Sequence, residues 1–445
     1  VVDMTPELIG AYVQAFLRAC DTGTGLYVGR DLRSSSPRIA GDVIAAARSM
    51  GANATDCGGL PTPALALASM QAGAAAVMVT GSHIPDDRNG LKFYTPAGEI
   101  TKADEEAILA ALSQKGSDGA KKSSLEIDTT AIPTYVARYV QAFGAEALSG
   151  RRIGLYAHSS VGREALRGVL EGLGAEVVTL GWSDHFIPVD TEAVAPEVRR
   201  QITDWVVTHQ LDALVSTDGD ADRPLLADET GAIVPGDVMG QITAEFLEAD
   251  AVVTPISSNS GVLQKGFNTV EQTRIGSPYV IAGMEAAGGR VVGYEANGGF
   301  LLGFAAKGPS GRLSALLTRD CTLPLVSTLV AAGQGGLAAR VAAEPPVITR
   351  ADRLQEIPTE KSAALIAALS KDAAVRAAFL KPLGLEEAAL DLTDGLRMTL
   401  KGGGVLHLRP SGNAPELRVY VEGTDAAAAE ALLAAALAHV AQAVA

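Results

Sequence analysis

Apolar residues recur along this chain with two periods, and the switches between those periods mark out its elements. Near the start, Thr5 suits a helix cap and Pro6 a first turn. Leu8, Tyr12, Val13, Phe16 and Leu17 then share one apolar face. Short strand-like runs follow at 26–28, 75–79, 153–157, 177–180, 213–215, 252–253 and 291–294. Helical stretches at 163–173, 197–210 and 238–247 lie between them. That alternation predicts mostly parallel sheets with helices on both faces. The last hundred residues differ: strands at 396–400, 405–408 and 417–422 are closely spaced and one long helix follows, which predicts a smaller α+β domain. A polar stretch at 350–358 lies near a boundary, and further breaks fall near Gly150 and Gly236. Three polar loops, at 80–90, 218–223 and 295–299, each follow a short apolar strand, the place where such sheets bind ligands.

The length of 445 residues predicts three or four domains, and the 48 glycines with 47% apolar residues suit an α/β protein with many tight turns. A formal charge of −15 argues against nucleic acid or an anionic membrane as partner. An acidic protein can still hold an anionic metabolite where Arg, Lys or a metal ion is concentrated. The three cysteines, Cys20, Cys57 and Cys321, form neither a zinc spacing nor a disulfide framework, so a reducing cytoplasm is expected. No apolar run is expected to reach the roughly 18 to 20 residues that span a bilayer, and the Ala-rich end at 425–445 is expected to be a helix packed on its domain. No signal peptide is visible, and Val1 implies that the natural start is missing or processed.

Three segments carry candidate chemistry. Asp218, Asp220 and Asp222 place carboxylates at alternate positions; converging on one point they need a cation, and oxygen-only ligands favour a hard ion such as magnesium. A solvated acidic turn is the alternative, and the spacing does not fit an EF-hand. Thr80-Gly81-Ser82-His83-Ile84-Pro85 offers a hydroxyl and several backbone N–H groups without the Gly-x-Ser-x-Gly elbow. It reads either as a phosphate-binding turn, with His83 as a possible base for Ser82, or as an ordinary one. The run from Arg409 to Arg418 joins two strands with two arginines, Ser411, Gly412 and Asn413, groups that suit a phosphate dianion or a solvated β-turn.

These segments, with Asn89-Gly90-Leu91-Lys92 and Glu295-Ala296-Asn297-Gly298, occur in the order of the α-D-phosphohexomutase family, which the chain resembles over nearly its whole length. Gly29-Arg30-Asp31-Leu32-Arg33 and Leu60-Pro61-Thr62-Pro63 also resemble its first domain. The resemblance implies an α/β protein of three similar domains with mixed, mostly parallel sheets, plus a C-terminal α+β domain, around a central cleft. The expected boundaries are 1–148 for a phosphoserine domain, 149–235 for metal, 236–344 for sugar and 345–445 for phosphate. It implies that Ser82 carries phosphate, and that Asp218, Asp220 and Asp222 hold Mg2+ together with it. Lys92 and Arg223 match basic residues close to the transferred group. Glu295 and Asn297 match the loop that grips sugar hydroxyls, and Arg409, Ser411, Gly412, Asn413 and Arg418 the site for the phosphate not being transferred.

The activity implied is that of a phosphohexose mutase primed by a hexose 1,6-bisphosphate. Mannose phosphate is the leading substrate, glucose phosphate follows, and N-acetylglucosamine phosphate is an alternative. A non-catalytic sugar-phosphate binding protein and a metal-dependent phosphatase are rival readings. The chain also departs from the family pattern. The family's opening Gly-Ile/Leu-Arg-Gly loop would precede the first residue. Asn297 stands where Ser is common and Gly299 where His is frequent. Asn413-Ala414-Pro415 replaces Thr-Glu-Pro or Thr-Thr-Pro, and Ser277 lies where some members carry His.

Overall fold

Buried five-residue runs become the middle strands of sheets because helices cover both of their faces, and Ala75–Val79 and Ala213–Thr217 are buried at every position. The computed structural model describes residues 4–114, 123–411 and 415–444. The chain divides into two compact units, one of Val1–Val252 with Ile281–Val341 and one of Val253–Val280 with Ala342–Ala445.

In the first unit a six-stranded sheet runs Gly98–Glu99, Leu91–Thr95, Ala75–Val79, Leu26–Arg30, Ala54–Gly59, Leu125–Ile127. Its last four strands are parallel and the first two antiparallel. A second sheet runs Ile233–Val234, Pro224–Ala227, Ala213–Thr217, Arg152–Tyr156, Glu176–Leu180, again parallel on one side and antiparallel on the other. Val291–Tyr294, Phe300–Leu302 and Leu316–Asp320 pair antiparallel.

One device recurs in all three sheets. A buried strand turns back on itself as an antiparallel neighbour, with Val79 opposite Leu91, Thr217 opposite Pro224 and Tyr294 opposite Phe300. The three polar loops are therefore hairpin tips and not strand-to-helix turns. The return strands escaped the hydrophobic pattern because they are short and two of them are buried throughout, which leaves no alternation to read. Helix Thr62–Gln71 escaped for a similar reason, since apolar and small residues bury it nearly all round.

Helix Ala131–Phe143 is tied to strand Leu316–Asp320 by a wholly buried carboxylate. Asp320 accepts hydrogen bonds from Tyr135 Oη at 2.6 Å, from Tyr139 Oη, and from the Thr322 N–H at 2.9 Å. Burial, and then the neighbouring Asp320 charge, push both phenols well above their ordinary pKa, so they stay donors.

The second unit is built on an antiparallel sheet in the order Ile348–Leu354, Leu417–Gly423, Val405–Pro410, Leu396–Leu400, Glu387–Asp391. The polar stretch expected to mark a boundary is largely an edge strand of this sheet, whose partial exposure explains its polarity. Leu396, Met398, Leu406, Leu408, Leu417, Val419 and Val421 form one apolar face beneath the helices. Helix Ala426–Val444 corrects a second expectation: its 19 residues, with a mean hydropathy of 1.5, are long and apolar enough to cross a membrane by length and composition. It instead seats Ala436, Val440 and Val444 in the sheet's core. Alanine raises its hydropathy while contributing little surface to bury.

Tyr135→Phe should cost about 1.5–3 kcal/mol, because it removes a hydrogen bond to a buried carboxylate without changing shape. The first cooperative transition in urea, followed by circular dichroism, should move to lower denaturant, its unfolding free energy falling by that amount. An unchanged midpoint would show that Asp320 holds the helix by some other contact.

Candidate active site

Ser82 lies on the tip of the first hairpin in a left-handed backbone conformation, φ 52°, which a non-glycine residue adopts only where its surroundings impose it. The imposing group is Arg33, wholly buried. Its guanidinium donates to four carbonyls of this loop: Ser82 at 2.8 Å, Ile84 at 2.6 Å, Pro85 at 2.5 Å and Arg88 at 3.0 Å. Asp31 takes its Nε at 3.0 Å, and the ring of Phe186 lies 4.0 Å from the guanidinium carbon. Asp31 also accepts from Thr80 Oγ1 at 2.8 Å, while the same Thr80 oxygen accepts the Ser82 N–H at 2.8 Å. A Cβ at Gly81 would sit 2.7 Å from the Arg33 guanidinium carbon, so only glycine lets the loop close on it.

The Ser82 hydroxyl donates to Asp218 Oδ2 at 2.6 Å. His83 is not placed to be its base. Its Nδ1 is 3.4 Å from Ser82 Oγ but 2.9 Å from Arg223 Nη1, and a guanidinium can only donate. Burial, and then the Arg223 charge, lower the pKa of His83.

Asp218, Asp220 and Asp222 lie on the second hairpin tip, where Ala221 is also left-handed at φ 57°. All three are wholly buried, and each offers an oxygen within 4.8 Å of the others. Burial excludes the solvated-turn reading. Part of the cost is met locally. Lys92 Nζ lies 2.6 Å from both Asp220 Oδ2 and Asp222 Oδ2, Thr62 Oγ1 donates to Asp220 Oδ2 at 2.6 Å, and Asp218 Oδ1 accepts the N–H groups of Asp222 and Arg223. Asp220 Oδ1 and Asp222 Oδ1 nonetheless have no hydrogen-bond partner among the described residues. Buried carboxylates that converge within 4.8 Å and keep oxygens without a hydrogen bond fit a hard divalent cation.

Burial and the neighbouring carboxylates push the Asp218 carboxyl well above its ordinary pKa. Burial acts the same way on Asp222, but Arg319, Lys92 and Arg223 outweigh it and hold that carboxyl below the usual range.

The third hairpin tip divides its two named residues between two tasks. Asn297 Oδ1 accepts the Gly299 N–H at 3.0 Å and so braces the turn, in which Gly298 has φ 86°. Glu295 is buried with Oε2 facing Arg319 Nη1 at 3.5 Å, and that oxygen has no hydrogen-bond donor among the described residues. Arg319 also reaches Asp222 Oδ2 at 3.0 Å and Glu99 Oε1 at 3.7 Å. Burial opposes its charge, but Asp222, Glu99 and Glu295 keep it fully protonated. Sequence reading assigned no role to Arg33, Glu99 or Arg319. The legible signal was a charged Arg319-Asp320 pair ending the apolar run Leu316-Leu317.

In the second unit the loop that includes Ser411 is closed at its base by the Ser411 N–H on the Glu416 carbonyl at 2.9 Å. Arg353, Arg418 and Arg409 are directly opposite one another across three strands. Like charges in that register repel. Asp394 Oδ2 accepts from Arg409 Nε at 2.9 Å, and Glu416 lies 3.5 Å from Arg353 and 3.9 Å from Arg418. Gly412 and Asn413, also expected in this site, lie outside the described residues.

Comparison with known proteins agrees with this arrangement. The sequence patterns of the phosphoglucomutase/phosphomannomutase family match in succession: alpha/beta/alpha domain I at residues 1–118, domain II at 133–231, domain III at 228–324 and the C-terminal domain at 355–439. A phosphomannomutase of Sinorhizobium fredii is 45% identical, with 98% of this chain and 96% of that protein aligned. A phosphomannomutase of Salmonella muenchen is 41% identical over 95% of this chain and 89% of its own length. Among solved structures, a phosphoglucomutase/phosphomannomutase family protein of Burkholderia thailandensis superposes with a TM-score of 0.77 at 19% identity, covering 99% of this chain and 94% of its own. The phosphoglucomutase parafusin of Paramecium, in its open form, gives 0.68 at 14% identity, covering 99% and 92%. With all four domain patterns present and close relatives matched almost end to end, the chain belongs to the phosphoglucomutase/phosphomannomutase family of α-D-phosphohexomutases.

Proposed function

We propose that this protein is a phosphomannomutase, an isomerase that interconverts mannose 6-phosphate and mannose 1-phosphate and also accepts glucose phosphates. The observation that carries the reading is the Ser82 hydroxyl, held on a strained hairpin tip 2.6 Å from a buried cluster of three carboxylates. The names of two relatives at 45% and 41% identity support the choice of sugar. Three free cysteines among the described residues suit the reducing cytoplasm in which we place it.

In this reading phosphorylated Ser82 hands its phosphoryl group to the free hydroxyl of a bound hexose monophosphate. The bond from phosphorus to Ser82 Oγ breaks as one to the sugar oxygen forms; the sugar hydroxyl releases its proton and Ser82 Oγ regains one. The other phosphate of the resulting hexose 1,6-bisphosphate then returns to Ser82, and trace bisphosphate primes protein that starts unphosphorylated. Asp218, Asp220, Asp222 and the Ser82 phosphate would together hold Mg2+, which when bound offsets the negative charge of the transferring group. Lys92 and Arg223 add fixed positive charge beside it. Glu295 accepts hydrogen bonds from sugar hydroxyls, aided by the Asn297 amide. Arg409, Ser411, Gly412, Asn413 and Arg418 bind the phosphate that is not being transferred.

A panel of mannose, glucose and N-acetylglucosamine 1-phosphates, primed with bisphosphate, tests the whole reading. Isomerised mannose and glucose phosphates are expected, with little product from the N-acetylated sugar. Free phosphate alone would identify a phosphatase, no turnover a binding protein, and preference for the N-acetylated sugar a different branch of the family. In the same assay Ser82→Ala should abolish turnover while its melting curve stays near wild type. Intact mass of active wild type should show one phosphate, absent from the variant.

Asp220→Ala leaves the cation site one carboxylate short and Lys92 with one partner fewer. Its Mg2+ affinity should fall about tenfold or more, and chelation of wild type should stop turnover. Turnover unaffected by either treatment would remove the metal from the mechanism.

Arg409→Ala and Arg418→Ala should each raise KM for all accepted sugars by roughly tenfold, the worth of one charged hydrogen bond to phosphate. An effect confined to one sugar would mean that this loop reads the ring instead.

A further inference from the structure

Arg319 is the least accounted-for charge in the first unit. Its side chain is 13% exposed and ends among three carboxylates that belong to three different parts of the chain. Nη2 lies 3.0 Å from Asp222 Oδ2 on the cation-binding hairpin, Nη1 3.5 Å from Glu295 Oε2 on the third hairpin, and Nε 3.7 Å from Glu99 Oε1. Glu99 also accepts from the Arg319 N–H at 3.3 Å and from Thr318 Oγ1 at 3.2 Å, so backbone and head group are anchored by the same carboxylate. The stem is fixed as well. A Cβ at Gly299 would come within 2.9 Å of both Cγ and Cδ of Arg319, so the glycine makes the cradle in which the stem lies.

The two outer contacts differ in length. Both are ion pairs, and the contact with Asp222 is the shorter at 3.0 Å, with Lys92 Nζ on the same oxygen at 2.6 Å. The contact with Glu295 is longer than a good hydrogen bond, so that oxygen is attracted and aimed yet keeps its capacity to accept from another donor. Asp222 Oδ2 thus faces two cations, while Oδ1, 3.8 Å from Arg223 Nε, has no hydrogen-bond partner among the described residues.

We propose that Arg319 is a positioning residue that couples sugar recognition to the cation-binding carboxylates, holding Glu295 aimed at a sugar hydroxyl while pairing with Asp222 beside the cation site. The role rests on the phosphohexose mutase reading and deepens it. One guanidinium sets both loops, so a sugar that engages Glu295 meets a cation site already in register.

Titration calorimetry on the full-length chain tests this without turnover. In a Ser82→Ala background, mannose 1-phosphate is titrated into the parent and into Arg319→Gln, Arg319→Lys, Glu295→Gln and the double variant Arg319→Gln with Glu295→Gln. Arg319→Gln should weaken binding about tenfold, and Arg319→Lys should recover part of the loss by restoring the charge. The double variant should be no more than about twofold weaker than the weaker single, because both substitutions break one interaction. Multiplying effects, or parent-like binding in Arg319→Gln, would overturn the sugar arm.

Mg2+ titration tests the other arm with a sign that a damaged fold does not mimic. Removing a positive charge 3.0 Å from Asp222 Oδ2 should tighten Mg2+ binding in Arg319→Gln, while Glu295→Gln leaves it close to the parent. Unchanged or weaker Mg2+ binding in Arg319→Gln would overturn it. Gly299→Ala keeps the charge but displaces the stem, and should weaken sugar binding in the same direction; parent-like binding there counts against the cradle. If wild type yields no isomerised sugar phosphate, the functional reading fails, yet these binding constants still decide for or against the coupling.

Discussion

Three carboxylates buried within reach of one another are the constraint around which the first unit is arranged. Each would be expensive to bury alone, and together they repel. The chain answers with positive charge drawn from elements far apart in sequence: Lys92 on the first return strand, Arg223 at the end of the hairpin itself, and Arg319 at the end of a strand more than ninety residues later. Thr62 contributes a neutral hydrogen bond from the start of a buried helix. Two carboxylate oxygens still go unsatisfied, and that residual deficit is the chemical signature of the site. A fully compensated cluster would have no use for a metal.

The hairpin tips make this convergence possible. A strand end flanked by its own antiparallel return gives a short loop with both ends pinned in one sheet, where a long strand-to-helix connection would wander. Pinning alone does not set the side chains, however. Arg33 does so for Ser82, committing a buried guanidinium to backbone carbonyls of its loop. An arginine with no exposed surface is costly unless its donors are used, and here they are used to impose the left-handed backbone at Ser82. Asn297 does the equivalent work on the third tip by accepting the Gly299 N–H.

The second unit, taken by itself, meets the inverse problem. Arg353, Arg418 and Arg409 stand opposite one another on one face of a sheet whose other face carries the apolar core. Asp394 and Glu416 offset part of that charge. A row of arginines placed so that they repel is stabilised further by any dianion that bridges them.

Much of this was legible in the sequence. Periodicity located the central strands, the amphipathic helices and the change to a smaller α+β unit, and the order of five motifs identified the family. Alternate aspartates in a polar loop after an apolar strand already implied a cation. What local pattern could not supply was partnership across long separations. That Asp218 faces Ser82, that His83 is spent on Arg223, and that Lys92 and Arg319 share one oxygen of Asp222 depend on which sheet edge lies beside which. Arg33, Glu99 and Arg319 were missed for one reason: a charged residue in a short motif looks solvated until its burial is known. Short-range period decides which residues face inward; the electrostatic cost of what they bring together is met only by residues that the folded sheets carry to the same place.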